Sequence, residues 1–185
     1  MPTFAANLSM LFTELPLAQR FAACASAGFR YCEIQFPYEI PAPQMAALLA
    51  EHDLQLVLHN LPAGNWAAGE RGIACLPERQ AEFRAGVAQA IAYAQQVGVT
   101  QLNCLAGIAP STLAPQLAHD CLLDNVRYAA QQLHANGMRL LLEPINSFDI
   151  PGFFLNKPSQ ALALIQLAAR PNVFLQYDCY HAQRM

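Results

Sequence analysis

Apolar residues recur along much of this chain at a spacing of three or four, which is the period of one face of an α-helix. Such a face is clearest over residues 78–97, where it holds Phe83, Val87, Ala90, Ile91, Ala94 and Val97. The same spacing, with proline or serine at several starts, predicts five helices in all. They are expected near residues 16–27, 42–52, 78–97, 114–136 and 158–169.

Short apolar runs lie between these helical stretches and are typical of buried strands. They predict strands at residues 4–8, 30–35, 54–59, 101–105, 138–142 and 173–177. Three of the helix-to-strand junctions contain a glycine, Gly28, Gly98 or Gly137, in the position that favours a left-handed residue after a helix. Asp53 and Pro171 occupy the equivalent junctions elsewhere.

Strand and helix therefore alternate six times, which predicts βαβ units and a parallel sheet. Right-handed crossovers leave two main architectures, an open doubly wound sheet or a (β/α)8 barrel. No GxGxxG or GxxxxGK[ST] motif follows the first strand, which weakens the nucleotide-binding alternatives. Residues 1–185 are interpreted as a single domain.

Composition narrows the classes of function. The chain is 55% hydrophobic and 12% charged, with a net charge of -3, so nucleic acid is not an expected partner. The six cysteines form no CxxC pair, and neither a signal peptide nor a membrane-spanning run is present. A cytoplasmic protein with reduced, mostly buried thiols is the expectation.

Polar residues end the predicted strands. They are Asn7, Glu33, His59, Asn103, Glu143 and Asp178. In a parallel barrel these ends converge on the face where active sites lie, so we expect a shared polar site.

Glu143 is the sharpest candidate, because "RLLLEPINSFDIPG" leads three leucines directly into a carboxylate. A carboxylate at the mouth of a dry core suits a metal ligand or a general base with a shifted pKa. A solvated strand end or an internal salt bridge is the alternative. Asp178 follows its strand in the same way, and His181 lies three residues later. Carboxylates with an imidazole suit Mn²⁺, Mg²⁺ or Zn²⁺.

Three further side chains are candidates for substrate contacts. His59 ends "LQLVLH" and is expected to reach the same face, unless it is a hydrogen-bonded structural histidine. Glu33 and Asp149 suit substrate hydroxyl groups or support of other site residues. The long connection at 60–77 carries Trp66, Glu70 and Arg71, which form either a lid or packing over the barrel rim.

With these residues in view, the chain resembles the hydroxypyruvate isomerase family of xylose-isomerase-like (β/α)8 barrels. The resemblance spans all 185 residues. It is carried by "FAANLSMLF", "FPYE", "LHNLPAGNWAAGERGIACLP", "LLLEPINSFDIPGFFLN" and "LQYDCYHAQRM".

The resemblance implies a divalent metal, Mg²⁺ or Mn²⁺, and a small hydroxy-carbonyl acid as substrate. Two glutamates on opposite sides of that substrate move a proton through an enediolate and interconvert hydroxypyruvate and tartronate semialdehyde. Glu143 matches the first glutamate, which also binds the metal, and Asp178 matches a second metal ligand. His181 matches a histidine that contacts substrate in related epimerases.

One departure from the family pattern concerns length. Only about six of the eight βα units are counted here, and a barrel typically needs about 250 residues. The second glutamate is expected after an eighth strand, so we expect a truncated family member or a fragment of a longer gene product, with no net turnover. Its first and last strands are expected to expose edges, which favours association with other chains, including a homo-oligomer.

Three alternatives stay open. A four-carbon 2-oxo acid (2-oxo-tetronate) isomerase uses the same chemistry. A non-catalytic remnant predicts weak metal binding. A phosphodiesterase acting at damaged DNA is disfavoured by the net charge.

Overall fold

The computed structural model describes residues 2–185 as alternating strands and helices. The strands are β1 (Ala5–Asn7), β2 (Tyr31–Glu33), β3 (Gln55–Asn60), β4 (Gln101–Cys104), β5 (Arg139–Leu142) and β6 (Val173–Leu175). The helices are α1 (Leu17–Ser26), α2 (Ala42–Glu51), α3 (Gln80–Val97), α4 (Pro115–Ala135), α5 (Pro158–Ala168) and α6 (Cys179–Gln183). Short 3₁₀ helices span Pro37–Glu39, Trp66–Ala68 and Pro77–Arg79.

The six strands form one parallel sheet in the order β1-β2-β3-β4-β5-β6. Each strand therefore lies beside its neighbour in sequence, joined by a crossover that contains a helix. This order belongs to a barrel, because a doubly wound sheet reverses direction partway. The prediction of a (β/α)8-type fold with six units is confirmed, and within residues 2–185 the sheet is open between β1 and β6.

Left-handed residues end several helices, as the glycine pattern predicts. Gly28, Gly98 and Gly137 have φ values of 87°, 78° and 70°. Asp53 and Ala169 adopt φ 51° at equivalent junctions, although a side chain there costs about 1 kcal/mol or more. These two junctions therefore keep the left-handed turn even where glycine is absent.

Buried apolar side chains form one continuous cluster that runs from Ala6 to Val173. Helices α3 and α4 supply much of it, with Phe83, Val87 and Leu133 each at most 3% exposed. The single-domain interpretation stays a prediction. Five of the six cysteines are buried and all six are free thiols, in agreement with the sequence expectation.

The C-terminal segment differs from its prediction. Strand β6 ends at Leu175 and not at Tyr177, and the short helix α6 follows it. The Asp178 side chain caps this helix, because its Oδ1 accepts hydrogen bonds from the backbone N–H groups of Tyr180 and His181. Among residues 2–185, no helix is long and apolar enough to cross a membrane. The cytoplasmic location stays a prediction.

Candidate active site

A cavity of about 530 Å³ opens at the carboxyl ends of the strands. Its polar lining contains Asn7, Glu33, Gln35, Asn60, Glu143, Asp149, Gln176, Asp178, Tyr180 and His181. Leu58, Leu105, Ile145, Ile150 and Trp66 supply apolar walls. An apolar pocket with a few convergent polar groups is the usual form of a small-molecule site.

Glu143 lines this cavity directly after β5 and is half-buried. Its Oε2 accepts a 2.8 Å hydrogen bond from Nδ2 of Asn103, which is itself fully buried at the end of β4. The pKa of Glu143 is raised to about 7, mainly because the carboxyl group is desolvated by burial and also because the negative charge of Asp178 lies nearby. A carboxyl group with a pKa near neutrality can both accept and release a proton.

Asp178 faces Glu143 across the cavity. One of its oxygens is used as the cap of α6, and Oδ2 lies 3.8 Å from Nε2 of His181. The DxxH spacing follows from the helix cap. Asp178 caps the first turn of α6, and His181, three residues later, lies on the same side of that turn.

Glu143, Asp178 and His181 come together as the sequence predicts. Each offers one ligand atom, and these atoms lie within 4.8 Å of one another. Two carboxylates and an imidazole are a donor set for Mg²⁺, Mn²⁺ or Zn²⁺. The donors also fit a cation electrostatically, because the repulsion between Glu143 and Asp178 that raises the pKa of Glu143 would be offset by a positive charge.

Glu33 lines the cavity from β2. Its Oε1 accepts a 2.8 Å hydrogen bond from Nδ2 of Asn7, the polar end of β1. Burial raises the pKa of Glu33, and the hydrogen bond from Asn7 opposes this change. Glu33 therefore faces the same cavity as Glu143, and its contact with a substrate stays a prediction.

Asp149 also lines the cavity but stands at its exposed rim, outside the Glu143 cluster. Its Oδ2 accepts a 2.8 Å hydrogen bond from Asn146, and Oδ1 lies 3.7 Å from Nη2 of Arg184. The Asn146 hydrogen bond is the main cause of the lowered pKa of Asp149. This position suits a supporting role more than a contact with the reacting atoms.

His59 does not reach the cavity, which contradicts the expectation that it faces the shared site. Successive side chains of a strand point to opposite faces, so Leu58 and Asn60 line the cavity while His59 points toward α3. There it lies against the Tyr38 and Tyr93 rings, 5.7 Å away in each case, and is fully buried. Burial lowers the pKa of His59 to about 4, so it is a neutral structural histidine.

The loop at 60–77 contributes one wall. Trp66 lines the cavity, packs on Phe36 at 4.9 Å and lies under the guanidinium of Arg71, 4.2 Å from its ring centre. Glu70 turns away and pairs with Arg79 at 2.7 Å. Of the three loop residues singled out from sequence, only Trp66 lines the cavity.

Two residues of the site were missed in the sequence: Gln176, which lines the cavity, and Asn146, which is buried beside it and contacts His181. Asn146 belongs to the "EPIN" block and lies three residues before an aspartate. An asparagine in such a position often forms a turn in which its side chain hydrogen-bonds the backbone two residues later. Gln176 lies two residues before Asp178, and side-chain alternation along the strand predicted at 173–177 places both on one face. That alternation is the signal that could have identified Gln176.

Comparison with known proteins places this geometry in a family. A family model described as "Xylose isomerase-like TIM barrel" matches residues 21–185. A hydroxypyruvate isomerase of Escherichia coli (strain K12) is 50% identical over 182 residues, which cover 98% of this chain and 70% of that protein. A 2-oxo-tetronate isomerase of Cupriavidus necator is 42% identical over 183 residues, covering 99% of this chain and 70% of that protein.

A crystal structure from Brucella melitensis, described as an AP endonuclease of family 2, superposes with a TM-score of 0.97. It is 42% identical, and the match covers 100% of this chain and 71% of that one. The chain thus spans about 70% of the length of these relatives. Because the family match runs over most of the chain and the identity reaches 50%, this chain belongs to the xylose isomerase-like TIM barrel family.

Proposed function

We propose that this site isomerises hydroxypyruvate and tartronate semialdehyde by proton transfer between neighbouring carbons. The observation that carries the proposal is the Glu143 carboxyl group, half-buried in the cavity beside Asp178 with its pKa raised to about 7. Enzymes that abstract a proton next to a carbonyl group use a base of this pKa. The 50% identity with a hydroxypyruvate isomerase supports the choice of substrate.

Glu143 is the proton carrier in this proposal. Asn103 donates a hydrogen bond to Oε2 and orients the carboxyl group, and we assign the proton transfer to Oε1. That oxygen takes the proton from C3 of hydroxypyruvate, and the electron pair of the C–H bond forms the C2–C3 double bond of an enediolate. Delivery of a proton to C2, with transfer of the C3 hydroxyl proton to the oxygen on C2, gives tartronate semialdehyde. Trp66 and Ile145 form apolar walls that keep water from the intermediate.

Glu143 and Asp178 would hold a divalent cation, Mg²⁺ or Mn²⁺, as the donor chemistry favours. When bound, the cation acts as a Lewis acid that stabilises negative charge developing on the substrate oxygens. Glu33, which lies in the same cavity, is placed to accept a hydrogen bond from a substrate hydroxyl group.

The four-carbon 2-oxo acid remains the second candidate substrate. It is favoured by the 42% identity with a 2-oxo-tetronate isomerase, and a cavity of about 530 Å³ accommodates either acid. The relative rates of proton exchange from the two acids decide between them.

Action on damaged DNA is disfavoured by the charge of the cavity. Glu33, Glu143, Asp149 and Asp178 line it, and none of the lining residues within the described chain is lysine or arginine. A phosphodiester backbone is normally bound by cationic side chains. Nucleic acid is therefore not a proposed partner.

A half-reaction tests the proposal most directly, because removal of the C3 proton needs only one acid/base group. The chain is incubated with hydroxypyruvate and Mg²⁺ or Mn²⁺ in D₂O, and deuterium incorporation at C3 is followed by proton NMR. We expect exchange above the rate with metal alone. The expectation that these 185 residues give no net turnover stays a prediction, checked by tartronate semialdehyde formation in the same samples.

Glu143→Gln is the decisive control, because it preserves shape and the hydrogen bond from Asn103 but cannot accept the proton. Exposed Glu51→Gln on α2 controls for substitution alone. Equal exchange rates with wild-type protein and Glu143→Gln would contradict the isomerase proposal and favour a non-catalytic protein.

A further inference from the structure

The amide group of Asn146, in the turn after β5, has an orientation set by its surroundings. The side chain is fully buried. Its Oδ1 accepts hydrogen bonds from the backbone N–H groups of Phe148 and Asp149, at 3.0 and 2.9 Å. Its Nδ2 donates to Oδ2 of Asp149 at 2.8 Å. Two donors face the oxygen and a carboxylate faces the nitrogen, so rotation of the amide by 180° would break three contacts at once.

The second hydrogen of that Nδ2 points at His181. The distance from Nδ2 of Asn146 to Nδ1 of His181 is 2.7 Å. A hydrogen on Nδ1 would collide with the hydrogen of the amide, so Nδ1 must accept. A neutral imidazole that accepts at one nitrogen carries its proton on the other. The contact therefore selects the tautomer protonated at Nε2.

Nε2 is the nitrogen that faces Asp178, with 3.8 Å to Oδ2. A protonated Nε2 has no lone pair to give a metal ion, although distance alone groups His181 with Glu143 and Asp178. It can donate a hydrogen bond to an oxygen in the cavity. The distance to Asp178 is too long for a hydrogen bond, so this donor is available to a bound molecule.

We propose that Asn146 is a positioning residue that holds His181 as the Nε2–H tautomer, which makes His181 a hydrogen-bond donor to substrate and not a metal ligand. The assignment of the tautomer stands on the contacts of Asn146. The proposal that the acceptor is an oxygen of a hydroxy-carbonyl acid rests on the proposed isomerase function. Among the three clustered residues, Glu143 and Asp178 are then the metal ligands.

The tautomer can be measured directly in the free protein. Long-range ¹H–¹⁵N correlation spectra of ¹⁵N-histidine-labelled protein at pH 8 distinguish a protonated from an unprotonated ring nitrogen. His181→Gln assigns the signal among the five histidines. We expect wild-type His181 to show a protonated Nε2 and an unprotonated Nδ1. A protonated Nδ1 would overturn the proposal, whatever the activity of the protein.

Asn146→Asp tests the role of Asn146 with a side chain of nearly the same shape. A carboxylate at this position accepts a hydrogen bond from Nδ1–H, so we expect the tautomer to switch. Asn146→Ala removes the bias, and a mixture of tautomers is expected. Asn136→Asp, on the exposed end of α4, makes the same chemical change and should leave His181 unaffected. A wild-type spectrum in both Asn146 variants would also overturn the proposal.

Addition of diamagnetic Zn²⁺ tests the second part of the proposal, that His181 is not a metal ligand. In wild-type protein we expect Zn²⁺ to leave Nε2 of His181 protonated. In Asn146→Asp, where Nε2 already lacks a proton, we expect direct coordination, seen as a shift of the Nε2 ¹⁵N resonance when Zn²⁺ is added. Loss of the Nε2 proton in the wild-type protein on Zn²⁺ addition would show that His181 is a ligand and refute the inference. Absence of hydroxypyruvate exchange with an intact Nε2–H signal would instead reject only the isomerase proposal.

Discussion

At the scale of single residues, the position of Glu143 lowers the stability of the folded protein, because its carboxyl group is desolvated and lies near another carboxylate. Burial and the neighbouring Asp178 disfavour its charged form and raise its pKa to about 7. Active sites commonly contain groups that destabilise the folded protein in this way. The pH dependence of stability therefore reports on the site without any substrate.

Glu143→Gln should stabilise the metal-free protein in a pH-dependent manner. An unfolded glutamate loses its proton near pH 4.5, whereas folded Glu143 keeps it to about pH 7. Stability is therefore lost as pH rises through this window. Above pH 7 the full cost, up to about 3 kcal/mol, is present in the wild-type protein only. Urea unfolding in EDTA at pH 4.5 and pH 8 measures it.

We expect Glu143→Gln to unfold at higher urea concentration than wild type at pH 8, and at nearly the same concentration at pH 4.5. Glu51→Gln, on the surface of α2, is the control. A variant that is equally stable relative to wild type at both pH values would contradict the raised pKa.

Asp178 has two roles that one substitution can separate. Its Oδ1 caps α6, and its Oδ2 is free to face a metal ion. Asn caps a helix as well as Asp does but offers no negative charge. We therefore expect Asp178→Asn to keep the fold while Mn²⁺ affinity falls more than about 10-fold, since loss even of groups that only orient a ligand costs 10- to 100-fold.

Electron paramagnetic resonance of free Mn²⁺ measures this affinity. Asp149→Asn removes a carboxylate from the rim of the same cavity, outside the metal-ligand cluster, and should have a smaller effect. Equal losses in the two variants would mean that only the overall negative charge attracts the cation.

At the scale of elements, the end of α5 is a place where sequence and conformation disagree. Ala169 ends the helix at φ 51° and ψ 46°, the left-handed region that glycine adopts without strain. We expect Ala169→Gly to raise the free energy of unfolding by about 0.5–1 kcal/mol, because the side chain is exposed and only the strain changes. Chemical denaturation measures the difference.

Ala163→Gly makes the same change within α5, at an exposed position with ordinary helical geometry. There we expect destabilisation by about 1 kcal/mol, the usual cost of glycine in a helix. The opposite signs of the two substitutions are the test, and destabilisation by both would show that Ala169 is not strained.

The loop at 60–77 is held in place by contacts at Glu70 and at Gly72. Glu70 pairs with Arg79, which also pairs with Glu82. At Gly72, with φ 115°, a side chain would come within 2.5 Å of the Leu105 carbonyl oxygen. These contacts favour packing over the rim as the role of this loop, and a lid movement stays a prediction.

At the scale of the whole molecule, the described sheet has two edges. Strands β1 and β6 pair on one side only, whereas β4 pairs on both. Phe174 on β6 is 44% exposed, and Phe4 beside β1 is 71% exposed. Edges of this kind can accept further strands, and the homo-oligomer expected from sequence stays a prediction.

Amide hydrogen exchange should follow this topology. We expect β4 amides to exchange at least about 10-fold more slowly than those of β1 and β6, because edge strands open locally at lower free energy. Mass spectrometry or NMR at low protein concentration measures the rates. Exchange in β6 as slow as in β4 would indicate that another strand pairs there, and sedimentation velocity would show whether a second copy supplies it.

Much of this fold could be predicted because its pattern is local. The spacing of Phe83, Val87 and Ala90 defines α3, and short apolar runs define the six strands to within a few residues. The βαβ pattern left a doubly wound sheet and a barrel open, and the family resemblance selected the sequential strand order of the barrel. Strand ends also placed Glu33, Glu143 and Asp178 on one face. The error at His59 came from treating every strand end alike, although neighbouring residues of a strand face opposite sides.

Sequence by itself thus determined the alternation of elements, the family and the carboxylates at the strand ends, because each depends on residue type and spacing along the chain. Tertiary structure decided the raised pKa of Glu143, the neutral burial of His59 and the tautomer of His181. Those properties depend on groups distant in sequence, such as Asn103 beside Glu143 and Asn146 beside His181, whose separations are set only when the strands pack.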